Sequence, residues 1–309
     1  MKVGVNLLNF GPGAEPAVLG RWARLVEDLG YHLLMISDHV AITPDVASLY
    51  PAPFYDPFLT LAWLASQTRA IELGTTVIIL PYRHPLQVAR LASNLDQLSG
   101  GRFILGVGAG WAAQEFAALG VSFAERGAIT DDYLDVIRAT WAADIVSHHS
   151  PFVAFDDVAT GPRPVRAPHP PIWVGGNGDV GRRRAVRHGA AWHPIGIRVD
   201  WLRDIGYPRL QAAARAASMP TPAVCPRIKL SLTAAPLAEE QRVAGQGSLE
   251  QVRQDLIDLE ALGAAHVLLD TYQGHPDAMQ GHEQDWAMLA TLADQVLDLE
   301  HERVQELSD

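Results

Sequence analysis

"LSGGRFILGVGAGW", residues 98–111, places three glycines, Gly106, Gly108 and Gly110, at the end of an apolar run of strand-forming residues. Glycines spaced in this way let backbone approach a phosphate or a flat ring. The dinucleotide fingerprint G-x-G-x-x-G needs a third glycine opening a helix and an acid about 20 residues on, after a second strand. Trp111 stands where that glycine would be, and the downstream acids Glu125, Asp131 and Asp132 fall in a helical pattern. The stretch argues against a dinucleotide-binding domain, so another α/β architecture has to account for its glycines.

Outward from this stretch, short β-branched or apolar runs alternate with longer segments of helical spacing. Strands are predicted at Val3–Leu8, His32–Ser37, Ile71–Leu80, Arg102–Val107, Ile172–Val174, Ala190–His193, Arg227–Thr233 and His266–Asp270. Helical spacing is seen at Val88, Leu91, Leu95 and Leu98, and at Leu249, Val252, Leu256 and Leu259. Eight strand–helix units with no linker between halves predict an α/β fold, a single (β/α)8 TIM barrel over 1–309. The proline-rich interval 143–170 breaks the rhythm and reads as a lid or hairpin inserted between units four and five. The polar tail from Leu299 reads as a solvated helix end.

Composition narrows the class of function. The chain has 309 residues, 48% hydrophobic and 19% charged, as in a globular enzyme. Its net charge of −11 argues against nucleic acid as a partner, because phosphate backbones select basic faces. No apolar run approaches the roughly 20 residues that span a bilayer, and no charged leader precedes the first strand, so a cytoplasmic protein without a membrane partner is expected. Cys225 has no second cysteine to pair with and reads as a small buried hydrophobe. The twelve histidines show no metal-binding spacing, and no metal is expected.

In a parallel barrel the chemistry gathers where strands end. Those positions here carry "SDH" (37–39), "LGTTVIILPYRHP" (73–85), "GVGAGW" (106–111), "GGNGDVGRRR" (175–184) and "HP" (193–194). Gly175, Gly176, Asn177 and Gly178 precede a helical pattern whose N-terminus would attract an anion, with Arg182, Arg183 and Arg184 nearby. Trp111, Tyr82 and Trp192 are candidates to line an apolar pocket.

Taken in order, these segments, with "FYDP" (54–57), "DDYLDVIRATW" (131–141) and "PHPPIWVGGNG" (168–178), resemble luciferase-like (bacterial-luciferase-type) flavin or deazaflavin oxidoreductases, in particular the branch that uses coenzyme F420. The likeness covers most of the first 195 residues. It implies a hydride-transferring oxidoreductase acting on a small organic substrate, with coenzyme F420 as cofactor. Two alternatives accompany it: an FMN-dependent monooxygenase, and a flavin-binding protein without turnover. It also implies His39 as the catalytic group that handles a proton, with Asp38 bonding the ring or orienting the histidine.

Further cofactor contacts are implied at Thr75, Thr76 and Val77, with a non-prolyl cis peptide joining Thr76 to Val77. Gly106, Gly108 and Gly110 would face the flat ring, and Gly175, Gly176, Asn177 and Gly178 would hold the phosphate. Family members acting on sugar phosphates carry a glutamate directly after the equivalent of Gly110. Here that position is Trp111, and the nearest carboxylate is Glu115, one helical turn on. Relatives often pair as homodimers.

Overall fold

The computed structural model describes residues 1–279 and 281–305. Its main sheet is built from β1 (Lys2–Leu7), β2 (Leu33–Ile36), β3 (Glu72–Thr75), β4 (Ile78–Ile79) and β5 (Phe103–Gly108). Two further strands, β6 (Ile145–His149) and β7 (Ala154–Ala159), form a separate antiparallel hairpin. The main sheet continues with β8 (Ile172–Gly175), β9 (Ala191–His193), β10 (Ala223–Val224) and β11 (Arg227–Lys229). Short β12 (Ser231–Leu232) and β13 (Gln246–Gly247) pair with each other, and β14 (His266–Asp270) returns to the main sheet.

Strand order in the main sheet is β10-β9-β8-β5-β3-β2-β1-β14-β11, with β4 beside β5. Every pairing in it is parallel. The two ends of that order, β10 and β11, are separated in the chain only by Cys225 and Pro226. Arg227 N donates to Pro194 O at 2.8 Å, and Gly196 N donates to Arg227 O at 3.0 Å. The sheet is therefore strongly curled, with helices packed outside it.

Both faces of these strands are buried, which is why they read as continuous apolar runs. Along β2, Leu34 and Ile36 pack outward against the helices, whereas Leu33 and Met35 point inward. The inward set, with Ile104, Trp173, Ala191, Cys225 and Leu268, forms a plug inside the curl. Each such side chain contributes about 1.5–3 kcal/mol on burial. Helix starts are fixed locally: Asp56 accepts from Leu59 N, and Ser248 with Gln251 forms a capping box. No helix among the described residues is long and apolar enough to cross a membrane.

Several expectations change in detail. The predicted strand Ile71–Leu80 is broken between β3 and β4, and the peptide bond there, Thr76–Val77, is cis. The predicted strand Arg227–Thr233 splits at Leu230, because β12 leaves the main sheet to pair with β13. The tail from Leu299 to Gln305 is no helix end: Arg303–Val304 pairs antiparallel with Leu297–Asp298, and residues 306–309 lie outside the described part.

The interval 143–170 contains the β6–β7 hairpin, but none of its residues lines the cavity described below. Its distal part is tied toward the opposite end of the sheet. Val165 N and Arg166 N donate to the buried Asp96 carboxylate, and Arg166 pairs with Glu72 at the start of β3. It is a hairpin rather than a lid.

Candidate active site

Where the strands end, the sheet opens into a cavity of about 600 Å3. That volume is typical of a small-molecule site. One wall is nearly bare backbone, contributed by Gly108, Ala109 and Gly110 after β5 and by Gly175 and Gly176 after β8. Gly110 has φ +83, and an added Cβ would lie 2.7 Å from Ile79 Cγ2, so no other residue fits there without strain. Val77 fills the space beneath: an added Cβ on Gly108 would lie 2.7 Å from its Cγ2. The result is a flat cradle of main chain over one branched side chain.

His39 lines the cavity beside this wall. Its Nδ1 lies 2.6 Å from Glu115 Oε2. Glu115 has no exposed surface and is the acceptor for Val40 N at 2.6 Å, Ala41 N at 3.0 Å and the Tyr82 hydroxyl at 3.0 Å. Burial by itself would raise this carboxyl, but the bonds from His39 and the two backbone N–H groups prevail and hold it below the ordinary glutamate value. An ionised carboxylate only accepts, so Nδ1 carries the hydrogen and Nε2 is left to a ligand. Three rings enclose the imidazole: Tyr50 at 5.3 Å, Phe54 at 5.4 Å and Trp111 at 5.8 Å between centroids.

Asp38 also lines the cavity, yet its carboxylate is committed elsewhere. Arg83 grips it with both terminal nitrogens, at 2.7 and 2.8 Å, and Ile79 N donates to it at 2.9 Å. The acid that orients His39 is therefore Glu115 and not Asp38. The buried Asp38–Arg83 pair instead fastens β2 to the segment that follows β4.

Thr76 faces the cavity from the opposite side, within 2.9 Å of His193 Nε2. His193 Nδ1 meets the Cys225 carbonyl, which can only accept, so Nδ1 is protonated. Burial pushes the His193 imidazole down to about 4. The ring is neutral, and the Thr76 hydroxyl donates to Nε2. Arg227, whose guanidinium also touches Thr76, is neutralised by the fully buried Asp270 at 2.8 Å.

Of the residues expected at the site, Asp38, His39, Thr76, Val77, Gly108, Gly110, Gly175, Gly176 and Gly178 line this cavity. Thr75, Gly106 and Asn177 do not. Thr75 is wholly buried, with its hydroxyl bonded to Gly106 O at 2.8 Å and Gly106 N at 3.0 Å, and that contact occupies Gly106 as well. Asn177 is turned away, its amide locked onto both backbone groups of Ile195.

Of the aromatic candidates, Trp111 lines the cavity, Tyr82 meets it only through Glu115, and Trp192 is buried outside it with its Nε1 on Gly176 O at 2.8 Å. Cys225 is buried and its thiol is pushed up to about 12, as suits an inert packing residue. Sequence reasoning missed Arg126, Arg184, His193 and Arg227 as cavity residues. Arg227 did carry a signal, a charge inside an otherwise apolar parallel strand.

A family model described as luciferase-like monooxygenase matches residues 1–303. The chain belongs to that family. Among luciferase-like relatives, the 4-hydroxyprotoasukamycin monooxygenase of Streptomyces nodosus subsp. asukaensis is 34% identical over 204 residues, 64% of this chain and 53% of that protein. The chain thus spans about half the length of that curated relative.

Of solved structures, the monooxygenase RslO1 from Streptomyces bottropensis superposes with a TM-score of 0.79 at 23% identity, covering 97% of this chain and 99% of that one. The coenzyme F420-dependent tetrahydromethanopterin reductase of Methanopyrus kandleri superposes with a TM-score of 0.76 at 16% identity, covering 94% and 97%. At such identities the luciferase-like family likeness is one of fold.

Proposed function

We propose that this luciferase-like protein is a (β/α)8-barrel oxidoreductase that binds coenzyme F420 and exchanges a hydride with a small organic substrate. The observation that carries the reading is the His39–Glu115 pair facing a cavity whose adjacent wall is bare glycine backbone. A hydride leaving or reaching a carbon that bears oxygen obliges a proton to move at that oxygen, and His39 Nε2 is free to carry it. Glu115 holds the imidazole in the required tautomer and supports its positive form.

The glycine wall fits a flat tricyclic ring, which side chains at Gly108, Gly110 and Gly175 would obstruct. The start of the helix Asp179–His188, with Gly176, Gly178 and Gly181 bare, suits the cofactor phosphate, and Arg126 and Arg184 line the same cavity. A bound deazaflavin supplies a ring carbon that gives or takes the hydride. The chain supplies position, a proton carrier and a site partly closed to water.

A second reading, FMN-dependent monooxygenation, is supported by the names of the 34% identical relative and of the Streptomyces bottropensis structure. Anaerobic titration with F420 and with FMN in parallel, followed by fluorescence, separates the two. Micromolar F420 binding with weak FMN binding is expected. FMN binding alone overturns the F420 reading in favour of the second, and binding of either without turnover of any acceptor leaves a flavin-binding protein.

A further inference from the structure

Four of the large apolar side chains left exposed on the described surface meet at the cavity mouth. Trp111 (43% exposed), Val180 (54%) and Ile195 (39%) line it, and Val40 (46%) is the neighbour of His39. They follow four different strands, β5, β8, β9 and β2, and only the curl of the sheet brings them together. Apolar groups gathered around a concave opening are characteristic of a ligand site.

Charge accounting points the same way. The lining cations are Arg126, Arg184 and Arg227. Arg184 is neutralised by Asp131 at 2.6 Å and Arg227 by Asp270 at 2.8 Å. Arg126 extends to Gly110 O and Phe123 O, on the side where the phosphate is proposed. Near His39 the charge comes from the Glu115 carboxylate, which repels an anion. Asp38 is matched by Arg83. No uncompensated positive charge remains at the rim to draw an anionic substrate.

We infer that the substrate is an uncharged, largely apolar organic molecule with a hydroxyl or carbonyl on its reacting carbon, its apolar body held by Trp111, Ile195 and Val180. The inference rests on the proposed function for its chemistry. In the oxidative direction the C–H bond breaks and its electron pair passes as hydride to the oxidised deazaflavin, which is thereby reduced. The hydroxyl proton passes to His39 Nε2, and C–O becomes C=O. The reverse reaction returns both to a carbonyl. Trp111 stands edge-on to His39, so an apolar body against Trp111 has its polar end within the aromatic enclosure.

Three size-matched probes test this: 1-(2-naphthyl)ethanol, 2-naphthyl phosphate and 1-(2-naphthyl)ethylamine, titrated calorimetrically into the full chain with and without F420. The alcohol is expected to bind about tenfold or more tightly than either charged probe. Trp111→Gln and Ile195→Asn are expected to weaken the alcohol about tenfold while leaving the F420 dissociation constant within about twofold.

A charged probe that binds more tightly, an alcohol that does not bind at about 1 mM, or a Trp111→Gln protein that binds it within about twofold of the parent overturns the inference. Failure of F420 to bind overturns the cofactor reading alone. The probe ranking on cofactor-free protein still decides the substrate class.

Discussion

His39 Nδ1 and Glu115 Oε2 lie 2.6 Å apart across 76 residues of sequence, and the same carboxylate fastens the two backbone N–H groups that follow the histidine. One acid therefore fixes the position, tautomer and basicity of one imidazole. Removing the imidazole with His39→Gln is expected to lower kcat about 100-fold or more, the scale of a lost proton carrier, with a smaller change in cofactor affinity. Steady-state kinetics beside a cofactor titration measure both. Equal kcat in the variant and the parent sinks the role.

Glu115 acts through His39, so Glu115→Gln has its own signature. The neutral amide no longer supports a positive ring, and the kcat–pH profile is expected to move its imidazole limb to lower pH. A purely structural role would depress activity at all pH values without moving that limb.

Asp38 and Arg83 form a bidentate pair with the carboxylate fully buried. Asp38→Ala leaves a half-buried guanidinium with only Asp56 at 3.2 Å as an acidic partner. Breaking such a pair is expected to cost about 3 kcal/mol, read as a lowered urea midpoint. A loss below about 0.5 kcal/mol, the scale of an ordinary surface change, contradicts this.

The glycines separate into structural and cavity-facing sets. A Cβ added at Gly106 falls 1.8 Å from the Thr75 carbonyl, whereas one added at Gly178 meets nothing within 4 Å. Gly106→Ala is expected to fold poorly or with a large drop in Tm, and Gly178→Ala to melt like the parent. Comparable Tm values for the two variants refute the distinction.

His193 gives a pH-dependent stability. Its imidazole is pushed by burial down to about 4 in the folded chain, against 6.5 for the free side chain. The native state thus binds fewer protons than the unfolded state between those values. Its contribution is complete above about pH 6.5 and is lost as the pH falls to about 4, amounting to about 3 kcal/mol. Urea midpoints across this window are expected to vary less with pH in His193→Gln than in the parent. Identical slopes rule the assignment out.

Much of this was legible locally. Apolar runs buried on both faces announce parallel strands, and seven of the eight predicted strand positions have a counterpart in the main sheet without interruption. "SDH" after β2 and the glycines after β5 and β8 marked the end of the sheet where the cavity opens. The eighth, Ile71–Leu80, was legible as a strand but not as one broken at Thr76–Val77, since β-branched residues suit a regular strand equally well.

By itself the sequence determined the period and burial of the elements, because hydrophobic alternation is a property of neighbouring residues. Partnership was decided only in three dimensions. His39 was visible, but its carboxylate was first sought in the adjacent Asp38. Curling of the sheet turns Asp38 onto Arg83 and brings Glu115, from a helix after another strand, against the ring. Hydrogen bonds and ion pairs depend on distances of a few ångströms, and residues on different strands approach that closely only after the chain has closed its core.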